Sequence, residues 1–390
     1  MKQHTSQKAG PLSGLKVIEL AGIGPGPFAA MSLSDMGAEV IRIDRIGAAP
    51  VHPDDFLVRG RRTITVNLKT PEGIAAVLRL IEGADGLIEG FRPGVMERLG
   101  LGPDVCLKRA PHLVYGRMTG WGQDGPYAQA AGHDLNYIAL TGALWATGEA
   151  DRPPTFAMNL LGDYGGGAMP LVVGMLAGLV QAKRTGRGDV IDAAICDGTN
   201  MLMTYIQSRR AMGLWLDERA ANYLDGGTPW YGVYECADGK WISIAPIEQK
   251  FWDRLVIQIG CKADDFGDRA DRGTWQATRR KLTDIFRAYP QAYWDARLAG
   301  TDACYAPVLS PAEARAHPHM AARDSFFDAP ADQPRPAPRF DGQTVDEPDA
   351  PRAPDADTLA VLADAGFSRA EVKALLQAGA IHADTTKESF

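Results

Sequence analysis

Short apolar runs, rich in β-branched residues, alternate with helical spacing through the first third of the chain. LKVIEL at 15–20, AEVIRID at 38–44, TITVNL at 63–68, GLIE at 86–89 and LVYGRM at 113–118 each read as a strand. Between them, 27–37 and 71–82 carry apolar residues at helical spacing, Pro27 suits a first helical turn, and a short helix fits 94–99. Strand, helix, strand in that order predicts parallel pairing with right-handed crossovers. The expected core is therefore an open α/β sheet of Rossmann-like type, with ligands outside the carboxyl ends of its strands.

The pattern then lengthens. A helix is expected from His133 to about 147. A longer one, opened by Asp163 and reaching about 184, carries Met169, Val172, Val173, Leu176, Leu179 and Val180 as a core stripe. A strand at 190–193 and a long helix at 197–212 follow. From 225 to 247 the chain turns aromatic and β-branched around Asp238-Gly239, a hairpin signal. Helices at 248–259, 275–288 and 291–298 and a strand at 304–309 complete a smaller α+β domain. A proline-rich strap and two short helices end the chain, the second opened by Ser368 with Glu371 three residues on. These signals place a large domain at 1–195 completed by 340–390, a linker helix at 196–225, a small domain at 226–325 and the strap at 326–356.

Composition narrows the class. A net charge of −7 argues against broad nucleic-acid or anionic-membrane surfaces, so an anionic ligand needs a local basic cluster. The cysteines Cys106, Cys196, Cys236, Cys261 and Cys304 are scattered without metal-ligand spacing and read as free thiols. The opening MKQHTSQKAG lacks the apolar stretch of a signal peptide, and no unbroken apolar run reaches about eighteen residues. A cytoplasmic enzyme without metal is expected.

Candidate chemistry lies at the loops. Gly22-Ile23-Gly24 follows a strand and Asp44 ends the next, as in a dinucleotide site. Pro25 and Pro27, however, remove backbone donors from the turn, and NAD is disfavoured. Arg42, Arg45, Arg59, Arg61, Arg62, Lys69, Arg92 and Arg98 cluster in this acidic chain and as a group favour a multiply phosphorylated ligand. His133 and Asp163 each follow a glycine at a loop-to-helix junction, and Glu248 stands in the first turn of the helix expected at 248–259. Each could be a plain cap or first-turn charge, and spacing alone does not decide between capping and catalysis.

IRIDR, GFRPGVMERLGLGP, GRMTGWGQDGP, AGHDLNY, NLLGDYGGG, VIDAAICDG, ANYLDGGTPWY and APIEQKFW occur in that order. On these blocks the whole chain resembles the CaiB/BaiF-like family III CoA-transferases, and within them the α-methylacyl-CoA racemases. The resemblance implies His133 and Asp163 as catalytic residues with Glu248 paired to the histidine. It puts CoA contacts at Arg45, Lys69, Arg92 and Arg98, with Gly90, Phe91, Met118 and Tyr137 lining the cleft. It also implies ring-shaped chains threaded into an interlocked homodimer. The implied reaction is a cofactor-independent 1,1-proton transfer on a 2-methylacyl-CoA thioester, with His133 and Asp163 on opposite faces of the α-carbon.

On this reading the glycines after Asp163 leave room for the thioester, and the N–H groups of 163–166 receive the enolate oxygen. Ile23, Tyr137, Leu160, Trp230 and Tyr231 would shape the acyl pocket. Two alternatives stay open. One is a CoA transferase with Asp163 as nucleophile, against which stands the lack of a glycine run near GGTPWYGVY. The other is a non-catalytic acyl-CoA-binding homologue.

Overall fold

The computed structural model describes residues 10–328, 333–341 and 346–383. The opening nine residues and parts of the strap, at 329–332 and 342–345, lie outside the described residues. The chain divides into two units, one of 1–141, 157–203 and 327–390, the other of 142–156 and 204–326.

The first unit begins β1 (Lys16–Leu20), α1 (Pro25–Asp35), β2 (Glu39–Asp44), β3 (Arg62–Val66), α2 (Pro71–Glu82) and β4 (Gly86–Glu89). Then come α3 (Val95–Arg98), α4 (Pro103–Arg109), β5 (Val114–Thr119) and α5 (Asp134–Leu140). A π-helix, Leu160–Ala168, runs directly into α6 (Met169–Thr185), followed by β6 (Val190–Ala194) and α7 (Ile195–Leu202). The expected strands form with parallel registers, Ile18 lying between Ile41 and Leu87. Helix α2 matches its expected span because Thr70 accepts from the Gly73 N–H at 3.1 Å and Pro71 opens the first turn. Helix α4 was not expected.

Three spans differ from the sequence reading. Helix α5 stops at Leu140, before Gly142 takes a φ of 81°. Asp163 does not open its helix but sits inside the π-helical turn. The span 197–212 is split into α7 and α8 (Thr204–Ala211), the latter in the second unit.

Leu160–Thr185 is long and apolar enough to cross a membrane by length and composition. Its inner face nevertheless belongs to the protein core: Leu171, Val172, Met175 and Leu179 are buried. Side chains at Gly86 and Gly116 would come within 2.8 Å of Met175, so two strand glycines admit this helix onto the sheet. The stripe is only partly core, however. Met169, Val173 and Val180 are exposed at 47%, 63% and 59%, because they lie on the face turned away from the strands.

The second unit holds β7 (Gly232–Glu235) and β8 (Trp241–Ile244), joined at Asp238-Gly239 and antiparallel with Tyr234 opposite Ile242. Helices α9 (Gln249–Gln258), α10 (Trp275–Arg287) and α11 (Gln291–Leu298) lead to β9 (Tyr305–Val308), the third strand of that sheet. Helices α12 (Pro311–Ala316) and α13 (Pro318–Ala322) follow. Trp230, expected at the acyl pocket, is 1% exposed among Trp252, Trp275 and Arg269; it is core of this unit.

The chain returns to the first unit with α14 (Thr358–Asp364), α15 (Arg369–Gln377) and β10 (Ile381–His382). The Ser368–Glu371 capping box forms as expected. Strand β10, which two residues are too few to signal, adds antiparallel to β3 and completes the order β10-β3-β2-β1-β4-β5-β6.

Candidate active site

Six of the seven strands run in one direction, so their carboxyl ends share one edge of the sheet. The loops leaving that edge carry Ile23 and Gly24 after β1, Arg45 after β2, Lys69 after β3, Gly90–Arg92 after β4 and Gly120 after β5. Among the described residues, Arg45, Lys69, Arg92 and Arg98 make no ion pair with a carboxylate. They remain available to an anion.

The other arginines expected at this edge are engaged elsewhere. Arg42 pairs with Asp44 at 3.0 Å, and Arg59 with Asp35 at 2.5 Å. Arg62 pairs with Glu39 and Asp364, both at 2.7 Å. Arg61 is buried, with Nε on Glu19 at 3.1 Å and its other nitrogens on the carbonyls of Arg59 and Pro27. Residues 59–62 precede or begin β3, at its amino end, and their charge is structural.

The turn Gly90–Arg92 is shaped from beneath. Buried Glu89 accepts the Phe91 N–H at 2.8 Å and pairs with Arg117 at 3.1 Å; Arg117 in turn reaches Glu97 on α3 at 2.9 Å. The helix that carries Arg98 is thereby tied to β5. Met118 is 3% exposed and supports the floor rather than projecting from it.

His133 ends the loop before α5, exposed, with its backbone N–H donating to Asn136 Oδ1 at 3.1 Å. The hydroxyl of Tyr137, one turn on, donates to the Gly132 carbonyl, and its ring stands edge-on to Trp121 at 4.7 Å. Side chains at Gly120 or Gly132 would collide with the Tyr137 ring, at 2.0 and 2.7 Å. These two glycines exist to seat that tyrosine.

Asp163 is half-buried. Asn159 Nδ2 donates to its Oδ2 at 3.2 Å, and its backbone N–H donates to Asp134 Oδ2 at 2.6 Å. Burial pushes its carboxyl above the ordinary range; the Asn159 hydrogen bond opposes this, the Asp134 charge adds to it and His133 draws it down. The same proximity raises the Tyr137 hydroxyl, first through burial and then through the Asp163 charge, with Arg92 opposing. His133, Asp134, Tyr137 and Asp163 therefore form one electrostatic cluster. Gly24, at a φ of 69°, closes the site from α1, since a Cβ there would lie 3.2 Å from Asp163 Oδ2. Phe28 stacks on Tyr164 at 4.3 Å and holds the two helices together.

The glycine run has a different purpose from the one expected. Side chains at Gly162, Gly166 and Gly167 would meet Asp134 Oδ2 at 2.3 Å, Thr199 Oγ1 at 2.3 Å and Ile195 at 2.9 Å. A Cβ on Gly198 of α7 would meet the Gly166 carbonyl at 1.8 Å. These glycines let α5, α7 and the π-helix touch, and they open no space for a thioester. The N–H of Asp163 is also taken by Asp134, so it is not a free anion donor.

Comparison with known proteins decides the family. The CoA-transferase family III profile matches residues 12–358. The chain belongs to CoA-transferase family III. Alpha-methylacyl-CoA racemases of Mus musculus and Homo sapiens are each 38% identical to it over 383 residues, 97% of this chain and all of theirs. A succinyl-CoA–D-citramalate CoA-transferase of Chloroflexus aurantiacus is 32% identical, covering 81% of this chain and 83% of its own. The solved structure of a CaiB/BaiF family protein from Brucella suis superposes with a TM-score of 0.78 at 26% identity, over 91% of this chain and 99% of its own.

Within this family III chain, the structure brings His133, Asp163 and Tyr137 together and sets Arg45, Lys69 and Arg92 in loops leaving the shared strand edge, with Arg98 on α3 after the last of them. Glu248 stands at the N-terminus of α9 in the second unit, exposed. Sequence reasoning passed over Asp134 and Asn159, and weighed Gly24 only as part of a dinucleotide turn. Only the adjacency of Asp134 to His133 could have drawn attention to it.

Proposed function

We propose that this protein is a racemase of 2-methylacyl-CoA thioesters. The observation that carries this reading is the pairing of His133 with a half-buried Asp163 whose proton affinity burial raises. A carbon acid beside a thioester must lose a proton from one face and regain one on the other. That requires two groups, one protonated and one not, at neutral pH. An ordinary surface aspartate would hold no proton there, whereas one pushed upward by burial can alternate with a histidine. The end-to-end identity with relatives named as racemases supports the same reading.

In this mechanism His133 and Asp163 exchange roles as base and acid, and Glu248 orients the imidazole. Arg45, Lys69, Arg92 and Arg98 hold the CoA phosphates, with Gly90, Phe91 and Tyr137 along the cleft. The chemistry requires no added cofactor, because CoA is part of the substrate. We further propose an interlocked homodimer of ring-shaped chains, supported by Leu160, Met169, Val173, Val180, Met201 and Leu202, large apolar side chains exposed on the first unit. We place the protein in the cytoplasm, acting on branched acyl thioesters of lipid metabolism.

Incubation with a single epimer of a 2-methylacyl-CoA in deuterated water tests the reading. Deuterium at C2 with loss of optical purity is expected. Acyl exchange into added succinate without C2 exchange would instead make Asp163 a transferase nucleophile. Tight CoA binding with neither reaction would leave an acyl-CoA-binding protein.

A further inference from the structure

The loop and helix that present His133 also reach into the helix that presents Asp163, through a residue without an assigned role. Asp134 directly follows His133 and is 7% exposed. Its Oδ2 accepts the Asp163 backbone N–H at 2.6 Å, while its Oδ1 is buried with no hydrogen-bond partner among the described residues. The approach is possible only because residue 162 is glycine, since a Cβ there would lie 2.3 Å from Asp134 Oδ2. An acid in the first turn of a helix is ordinarily a solvated charge meeting the helix dipole. Here it points inward, toward the backbone of a second carboxylate, with one oxygen unanswered. A buried, half-satisfied carboxylate is costly to keep, and such cost persists where it serves chemistry.

We propose that Asp134 is a positioning residue that braces the turn carrying Asp163 and sets a second negative charge beside it. This deepens the racemase reading and rests on it. The brace fixes the Asp163 backbone relative to His133, so both acid–base groups keep one geometry across a bound α-carbon. The charge disfavours ionisation of Asp163, which helps it hold a proton in half of the catalytic cycle.

Among the described residues, the groups facing Asp163 are few. Asn159 and Tyr164 lie on its own segment, and His133, Asp134 and Tyr137 on α5 and the loop before it. Gly24, just before α1, and Phe28 on α1 carry no charge. Thr199 backs the π-helix from α7, whose titratable groups are Cys196 and the exposed Asp197. Arg92 acts beyond Tyr137. Asp134 is the residue that both bonds the Asp163 backbone and opposes its charge.

Asp134→Asn separates the two roles, because the amide oxygen still accepts the N–H while the charge is gone. The acidic limb of the kcat/KM profile, set by the first proton lost from the coupled His133–Asp163 pair, is expected to move to lower pH. Asp134→Ala removes the brace as well and is expected to lower kcat by about 100-fold. Circular dichroism of both variants excludes loss of fold. A merely structural role would depress the rate at all pH values and leave the limb in place, and that result would overturn the proposal.

The titration is also read without activity. Protein labelled with [13Cγ]Asp, with the Asp163 resonance assigned by its loss in Asp163→Asn, gives the Asp163 midpoint in wild type and in Asp134→Asn. A lower midpoint in the variant supports the proposal, and an unchanged one refutes it. A wild type that exchanges no α-deuterium would sink the racemase reading while leaving this titration to decide the role of Asp134.

Discussion

Two groups of basic residues flank opposite ends of the same parallel strands and have opposite surroundings. At the amino end of β3, Arg59, Arg61 and Arg62 are each matched to a carboxylate, and Arg61 is buried with Glu19. On the segments that leave the carboxyl ends of β2, β3 and β4, Arg45, Lys69, Arg92 and Arg98 have no carboxylate partner among the described residues. In sequence the two groups read alike, as basic residues flanking strands. The difference is that a charge removed from water needs its counter-charge built in, whereas a charge awaiting a ligand must stay unanswered. The same contrast holds for carboxylates. Burial raises both Glu19 and Asp163, but Glu19 is met by Arg61 and Asp163 by a neighbouring acid.

The contrast can be broken experimentally, most severely in the paired group. Arg61→Met leaves Glu19 buried and unpaired, and we expect a loss of about 3–5 kcal/mol in urea unfolding. The double change Glu19→Met with Arg61→Met is expected to recover most of it. If the single variant unfolds like wild type, the ion pair is not structural. A smaller effect belongs to the unanswered group. Arg98→Ala is expected to raise KM for an acyl-CoA about 10- to 100-fold, from one lost charge-assisted bond, while unfolding changes little. The pantetheine thioester, which lacks the nucleotide phosphates, should not register the change. Equal losses on both substrates would place Arg98 outside the phosphate site.

Much of the sheet was legible because strand and helix periods differ and the glycine and proline signals agree with them. The spans of α2, β4 and α11 fall where spacing puts them. The site was legible only in part. His133 and Asp163 stood out as titratable groups after glycines, yet what sets Asp163 apart from a plain cap is burial and a neighbour's charge, which no local pattern carries. The glycine run misled for a related reason. Glycine admits close approach of any kind, and only the structure shows that α7 and Asp134, not a ligand, occupy the space. The exposed apolar stripe of α6 likewise has the same spacing whether a strand or a second chain covers it.

The central claim is that His133 and Asp163 act from opposite faces of one carbon. It is tested most directly by following α-proton exchange of each substrate epimer in deuterated water, by proton NMR, with His133→Ala and Asp163→Asn. A base left alone on one face can remove a proton and return deuterium there, but cannot invert the centre. The account predicts that neither variant racemises, with losses of about 100- to 10,000-fold, and that each exchanges only one epimer, the two variants choosing opposite ones. Exchange of both epimers by either variant, or racemisation surviving in His133→Ala, would contradict it.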